Sequence, residues 1–204
     1  MTQFIFVASL VLVFAFARGQ EVKEYYQSGE LKSTGKVVGG IKDGEWVFYY
    51  PSGKKNSVEN YKDGTLHGAV TYFYPAGHVQ GLETWRGGLM QDSAWYFYPN
   101  GLLKSKGFFD QGQYAGQWKY FHENGKIERT LSYQRGLPEG VTLLYNDKGF
   151  LIQEGSYHDG LESGEWKFFS DEGALKFYGS YQEGRPVGIW HEKKNGKIKI
   201  YKKY

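Results

Sequence analysis

Three columns of glycine recur at a step of 24 residues, and this spacing constrains the fold more than any other feature of the chain. The first column is Gly44, Gly68, Gly116, Gly140, Gly164 and Gly188, with Asp92 as its exception. The second is Gly29, Gly53, Gly77, Gly101, Gly125, Gly149 and Gly173. The third is Gly40, Gly64, Gly88, Gly112, Gly136, Gly160 and Gly184. Three registers kept through most of 204 residues define a tandem repeat. The length alone would admit one domain or two, and the repeat makes it one array over residues 20–204.

Each repeat holds two turn signals. Pro51-Ser52-Gly53, Pro75-Ala76-Gly77 and Pro99-Asn100-Gly101 place proline where φ is already near −65° and glycine where φ turns positive. The other junction reads Lys62-Asp63-Gly64, Gln134-Arg135-Gly136 or His158-Asp159-Gly160. Two turns in 24 residues leave runs of about 6–8 residues, a strand length rather than a helix length. With Lys194-Asn195-Gly196 read as a last tip, arriving one residue early, eight hairpins are counted. The expected fold is all-β: an elongated, open antiparallel meander of about sixteen strands. At ~4.8 Å per strand it would be on the order of 75 Å long.

Composition agrees with a thin sheet. Aromatics are 19% of the residues, with 18 Tyr, 14 Phe and 6 Trp. Tyrosine suits a surface where a ring buries its face and leaves its hydroxyl wet. Two adjacent columns are almost wholly aromatic: Phe48, Tyr72, Tyr96, Tyr120, Leu144, Phe168 and Tyr49, Phe73, Phe97, Phe121, Tyr145, Phe169. Strand neighbours point to opposite faces, so both faces should carry rings. Trp46, Trp118, Trp166 and Trp190 recur at the register of the fold and read as structural, as do the turn glycines Gly53, Gly77, Gly101, Gly125, Gly149 and Gly173. Gly107, Gly155 and Gly179 lie within strands and leave room for a ring to cross the backbone.

Residues 4–16 form an apolar run broken only by Ser9, followed by Ala15-Phe16-Ala17 and Arg18-Gly19-Gln20. The run is shorter than the ~20 residues that span a bilayer. With small residues at Ala15 and Ala17 it matches a signal peptide over residues 1–19, although no Lys or Arg precedes it. Export to the periplasm, outer surface or medium is expected. An uncleaved anchor or a buried first strand is the competing reading.

The recurrent phrase Gly-x-Trp-x-x-aromatic, a turn ending in Gly, an aliphatic two residues later, then Tyr-x-x-Gly, resembles the MORN repeat (membrane occupation and recognition nexus), and more closely its bacterial variant. The resemblance covers residues 25–204. It departs at Asp92-Ser93-Ala94, where Gly and Trp are missing, and at Val70 and Thr142, which replace Trp. It implies a non-catalytic β-meander used for protein or lipid contact. Chains of the variant often carry an antitoxin label, which suits an exported protein badly because most such toxins act in the cytoplasm. Aromatic-rich choline- and glucan-binding modules are a second resemblance, with a shorter period and a Gly-Trp opening this chain lacks. A four-bladed propeller of 48-residue blades is a third architecture.

Little in the sequence points to catalysis. His67, His78, His122, His158 and His191 fall in five different columns and form no metal-binding spacing. Asp63, Asp159 and Asp171 are turn residues without the alternation of a calcium loop. There is no cysteine, which removes disulfides, thiolate sites and a lipid-bearing cysteine. No catalytic, cofactor or metal residue is therefore assigned. A net charge of +3 with interleaved signs does not indicate nucleic acid. Lys193, Lys194, Lys197, Lys199, Lys202 and Lys203 give a basic end, read as protection of an open sheet edge or as a weak contact with anionic membrane. The expected function is an exported scaffold for an unidentified protein or cell-surface polymer, with Tyr49, Phe73, Phe97 and Phe121 as the candidate binding rings.

Overall fold

The computed structural model describes residues 19–204, so the leader lies almost entirely outside the described residues. Those residues form a single antiparallel sheet in which each strand pairs with the next along the chain. Among the described residues, the first strand, Gln20–Tyr25, pairs only with Leu31–Val38, and the last, Lys197–Lys203, only with Arg185–Lys194. The sheet is open, which excludes the propeller.

Nineteen strand segments are present among the described residues. Three of them, Thr65–Leu66, Leu89–Met90 and Leu137–Pro138, are two-residue beginnings of strands that resume at Gly68, Asp92 and Gly140. Counted with their continuations, the segments make the sixteen strands expected from the turn spacing.

All three recurrent glycine columns hold positive φ, and the one exception keeps the angle. Asp92 takes φ 64° where Gly44 and Gly164 take 77° and 73°. A short side chain that bonds locally tolerates this region better than most, which is why the substitution leaves the register intact. The two junctions differ. At the Pro-x-Gly tips the Gly53 amide donates to the Tyr50 carbonyl at 2.9 Å and the Tyr50 amide to Lys54 O at 2.8 Å, closing a three-residue loop. At the other junctions both central residues are left-handed, as at Asp63 (50°) and Gly64 (78°), a two-residue type I′ turn. Asn195 (51°) and Gly196 (73°) follow this second pattern, with Lys194 paired to Lys197. The last turn is therefore not an eighth tip arriving early. It is a type I′ hairpin that closes the array.

One line of residues runs across the sheet on a single face. The ladder pairs Gly35 with Trp46, Trp46 with Glu59, Val70 with Glu83, Ala94 with Gly107, Trp118 with Leu131, Thr142 with Gly155 and Trp166 with Gly179. Trp46, Trp118 and Trp166 are each 1% exposed. Their burial without a second layer comes from the neighbours on the same face. The rings of Tyr96 and Tyr120 stack beside Trp118, and Phe109, Tyr114 and Tyr133 close the cluster. Such ring pairs add about 0.5–1.5 kcal/mol each beyond area burial. The indole N–H of Trp46 donates to Lys36 O and that of Trp118 to Phe108 O, both at 3.0 Å. The Trp166 and Trp190 indoles lack a partner among the described residues.

Repeats are also tied along one margin. Tyr26, Tyr50, Tyr74 and Tyr98 donate their hydroxyls to the carbonyls of Tyr49, Phe73, Phe97 and Phe121 at 2.6–2.9 Å. His122 Nε2 continues the row to Tyr145 O at 2.9 Å. The donor always sits in one tip and the acceptor one repeat ahead, so each tip fixes the next.

Candidate functional site

The tryptophan face is filled by its own repeat logic. Where the central line has Trp46, Trp118, Trp166 or Trp190, the residue eleven positions earlier is Gly35, Gly107, Gly155 or Gly179. A Cβ at any of these glycines would lie within 2.1–2.3 Å of an indole atom. Where the line has Val70, Ala94 or Thr142, the earlier position holds Glu59, Glu83 or Leu131 instead. The smaller partner frees the volume that a larger residue then occupies.

The two glutamates on this face are held by hydrogen bonds. Ser57 Oγ donates to Glu59 Oε1 at 2.7 Å, and the Tyr61 hydroxyl donates to Oε2. Trp85 Nε1 and the Tyr96 hydroxyl donate to Glu83 at 2.9 and 2.7 Å. Burial, followed by these carboxylates, raises the pKa of Tyr61, Tyr72 and Tyr96 well above the usual phenol range. The phenols stay neutral donors, and the cluster is a satisfied polar insert in the ring layer.

The opposite face departs from the repeat at one place. At the break Asp92-Ser93-Ala94, the tryptophan is displaced by one residue to Trp95. A shift of one residue in a strand turns the side chain to the other face. Trp95 pairs with Leu82 and Lys106 there and is 38% exposed. Its column is otherwise Val47, Thr71, Lys119, Leu143, Lys167 and His191. Beside it Phe108, paired with Ser93, is 53% exposed. The Phe108 column elsewhere is Lys36, Asn60, Thr84, Ser132, Ser156 and Ser180, all polar. Two independent exceptions thus meet in an open hollow of about 310 Å³, lined also by Ser93, Lys106, Gln117 and Lys119. A hollow lined by two aromatic rings and two lysines suits an apolar side chain flanked by acidic groups.

Tyr49, Phe73, Phe97 and Phe121 lie elsewhere. All four are half-buried. Each stands at a register shift next to its tip, opposite Lys55, Val79, Leu103 or Ile127, and gives its carbonyl to the tyrosine of the preceding tip. Sequence reading marked Asp92-Ser93-Ala94 as a departure and did not follow it to Trp95 and Phe108. The available signal was the parity of the displaced tryptophan.

Other candidate groups remain dispersed. His158 pairs with Glu139 at 3.2 Å on the surface, and that hydrogen bond raises its pKa above 6.5. His122 serves the tip ladder. Among the described residues no group of three or more His, Asp or Glu is placed to hold a metal ion. The closing strand Lys197–Lys203 is exposed along its whole length.

Comparison with known proteins bears on the repeat itself. The family model for the MORN repeat variant matches residues 42–63, 66–86 and 115–135. No curated protein matches the chain. Among solved structures, a chain of the crystal structure of TcdB2-TccC3-Cdc42 is similar at 11% identity and a TM-score of 0.18, covering 89% of this chain and 14% of that one. This chain thus spans a small part of that protein's length.

Proposed function

We propose that this chain, whose residues 42–63, 66–86 and 115–135 match the MORN repeat variant, is an exported repeat scaffold that binds a protein partner without catalysis. The contact is the hollow of Trp95 and Phe108, and the observation that carries it is the meeting of two exceptions to the repeat. Constant columns serve the fold, since they recur wherever the fold recurs. An exposed Trp and Phe that break their columns side by side have no such duty. Tryptophan is also the residue type that most often dominates a protein contact. Lys106 and Lys119 favour an acidic rim on the partner.

The test is p-benzoylphenylalanine placed at position 95, with irradiation in the native cell envelope. A discrete adduct of constant mass is expected from position 95 and not from the exposed position 25. Equal labelling from both, or none from 95, would contradict the proposal. The mature N-terminus read by mass spectrometry tests export, and an intact Met1 in a cytoplasmic fraction would oppose it.

A second reading concerns the fully exposed lysine strand Lys197–Lys203. Weak, salt-sensitive sedimentation with anionic vesicles is its test. Loss of that binding when Lys199 and Lys203 are made Gln would separate a membrane contact from simple edge protection.

A further inference from the structure

The two ends of the sheet are complementary halves of one repeat. Gln20–Tyr25 enters a tip, where the Gly29 amide donates to the Tyr26 carbonyl at 3.0 Å, as Gly53 does to Tyr50. Lys197–Lys203 leaves the closing turn, and so stands where Leu175–Gln182 stands after the tip at Gly173. Throughout the array a strand leaving one tip pairs antiparallel with the strand entering the next, as Leu175–Gln182 does with Arg185–Lys194. Among the described residues, the first strand lacks a leaving strand before it and the last lacks an entering strand after it. The last strand is exposed at every residue, and the first at every residue but Val22.

The side chains of the two edges match in the register of the array. Lys199 pairs with Glu192 as Phe177 pairs with Phe168, and Phe177 pairs in turn with Glu192 on the next strand. By the same step Lys199 faces the Glu192 column of an entering strand, which in Gln20–Tyr25 is Glu24. That column is Phe48, Tyr72, Tyr96, Tyr120, Leu144 and Phe168 inside the array, and a carboxylate only at its ends, Glu24 and Glu192. Glu24 Oε2 accepts from Ser33 Oγ at 2.8 Å, which holds the carboxylate on the tryptophan face. Lys202 pairs with Trp190 as Gly179 pairs with Trp166, so it occupies the place of a strand glycine. A Cβ at Gly179 would meet the following indole, Trp190, at 2.3 Å. A lysine in that place therefore rejects a following tryptophan, and the first strand carries Val22 there instead. The interior makes the same exchange where Glu59 precedes Val70.

We propose that the first edge of one copy of this chain docks on the last edge of another, so that the sheet continues from copy to copy. The open backbone amides and carbonyls of both edges supply the pairing. Charge selects the partner. The last strand carries Lys197, Lys199, Lys202 and Lys203 with no carboxylate, while the first sets Glu21 and Glu24 against Lys23. Two last edges repel each other, and the first edge meets Lys199 with the opposite sign at Glu24. The lysines thus exclude the like edge and admit the unlike one. Each joined pair still offers one edge of each kind, so the contact is heterologous and propagates as a filament. The assembly does not depend on the Trp95 contact or on export.

The chain has no cysteine, so introduced ones report the contact directly. Ile200 pairs with His191 as Tyr178 pairs with Lys167, and Tyr178 pairs in turn with His191, whose column in the first strand is Lys23. Lys23→Cys and Ile200→Cys, made in the full chain and purified from its own cells, lie on opposite edges of one copy and can meet only between copies. Under mild oxidation the two single variants mixed should give a disulfide-linked pair, and the double variant a ladder of multiples. Neither single variant should link to itself. Sedimentation velocity of the unsubstituted chain should show mass rising with concentration and falling with salt. Glu24→Lys places like charges opposite each other and should weaken association about fivefold or more. Adding Lys199→Glu should restore part of the loss. A single-chain mass at every concentration, disulfides between like edges in place of unlike ones, or association undiminished by Glu24→Lys would each overturn the proposal. None of these outcomes touches the Trp95 contact, whose crosslink is read separately.

Discussion

Gly155 lies beneath the indole of Trp166, so closely that a methyl group at position 155 would come within 2.1 Å of ring atom Cδ2. Gly155 keeps an ordinary backbone angle, unlike the turn glycines. Its requirement is space. Gly155→Ala should therefore destabilise the chain by about 1–3 kcal/mol through overpacking, measured by urea unfolding. The converse can be tested at Glu59 and Val70. Val70→Trp alone should destabilise, and adding Glu59→Gly should recover part of the loss. Additive effects of the two substitutions would contradict the proposed exchange of volume.

Tyr98 ties its tip to the next repeat through the Phe121 carbonyl at 2.8 Å. Tyr98→Phe keeps the ring and removes the hydroxyl, so a loss of about 0.5–1.5 kcal/mol is expected. Hydrogen exchange should quicken at the tip around Gly125 more than at the distant tip around Gly53.

His158 is held above its ordinary pKa of 6.5, first by its hydrogen bond to Glu139 and then by the charges of Glu139 and Asp159. The folded chain thus holds this proton more tightly than the unfolded one. Its contribution is fully present below about 6.5 and disappears as pH rises through the raised folded value. An NMR titration should place His158 above 6.5 in the native chain, and Glu139→Gln should bring it back toward that value.

The architecture was legible because a repeat states its turns seven or eight times. Gly164, Gly173 and Gly184 mark a bulge, a tip and a type I′ turn, and each shows positive φ. The room left at Gly107, Gly155 and Gly179 was legible too, and indole rings occupy it. The proposed contact surface was less so. Tyr49 and Phe97 look available in a strand pattern, yet tip geometry half-buries them. Trp95 was visible as a break in the column, but its exposure follows only from strand parity. The cage around Lys42 was hidden because that residue reads as an ordinary charge until the rings of Trp46, Phe48 and Tyr61 are placed around it.

Residues constant across the repeats build the sheet, while the exceptions at Trp95 and Phe108 are proposed to be free of that duty and available for binding. Equilibrium urea unfolding of Trp166→Ala and Trp95→Ala compares the two kinds of tryptophan directly. Trp166→Ala should cost about 3–5 kcal/mol, the range for truncating a buried aromatic. Trp95→Ala should cost about 1 kcal/mol or less, as for a surface substitution. Equal losses for the two variants, or a larger loss for Trp95→Ala, would contradict the account.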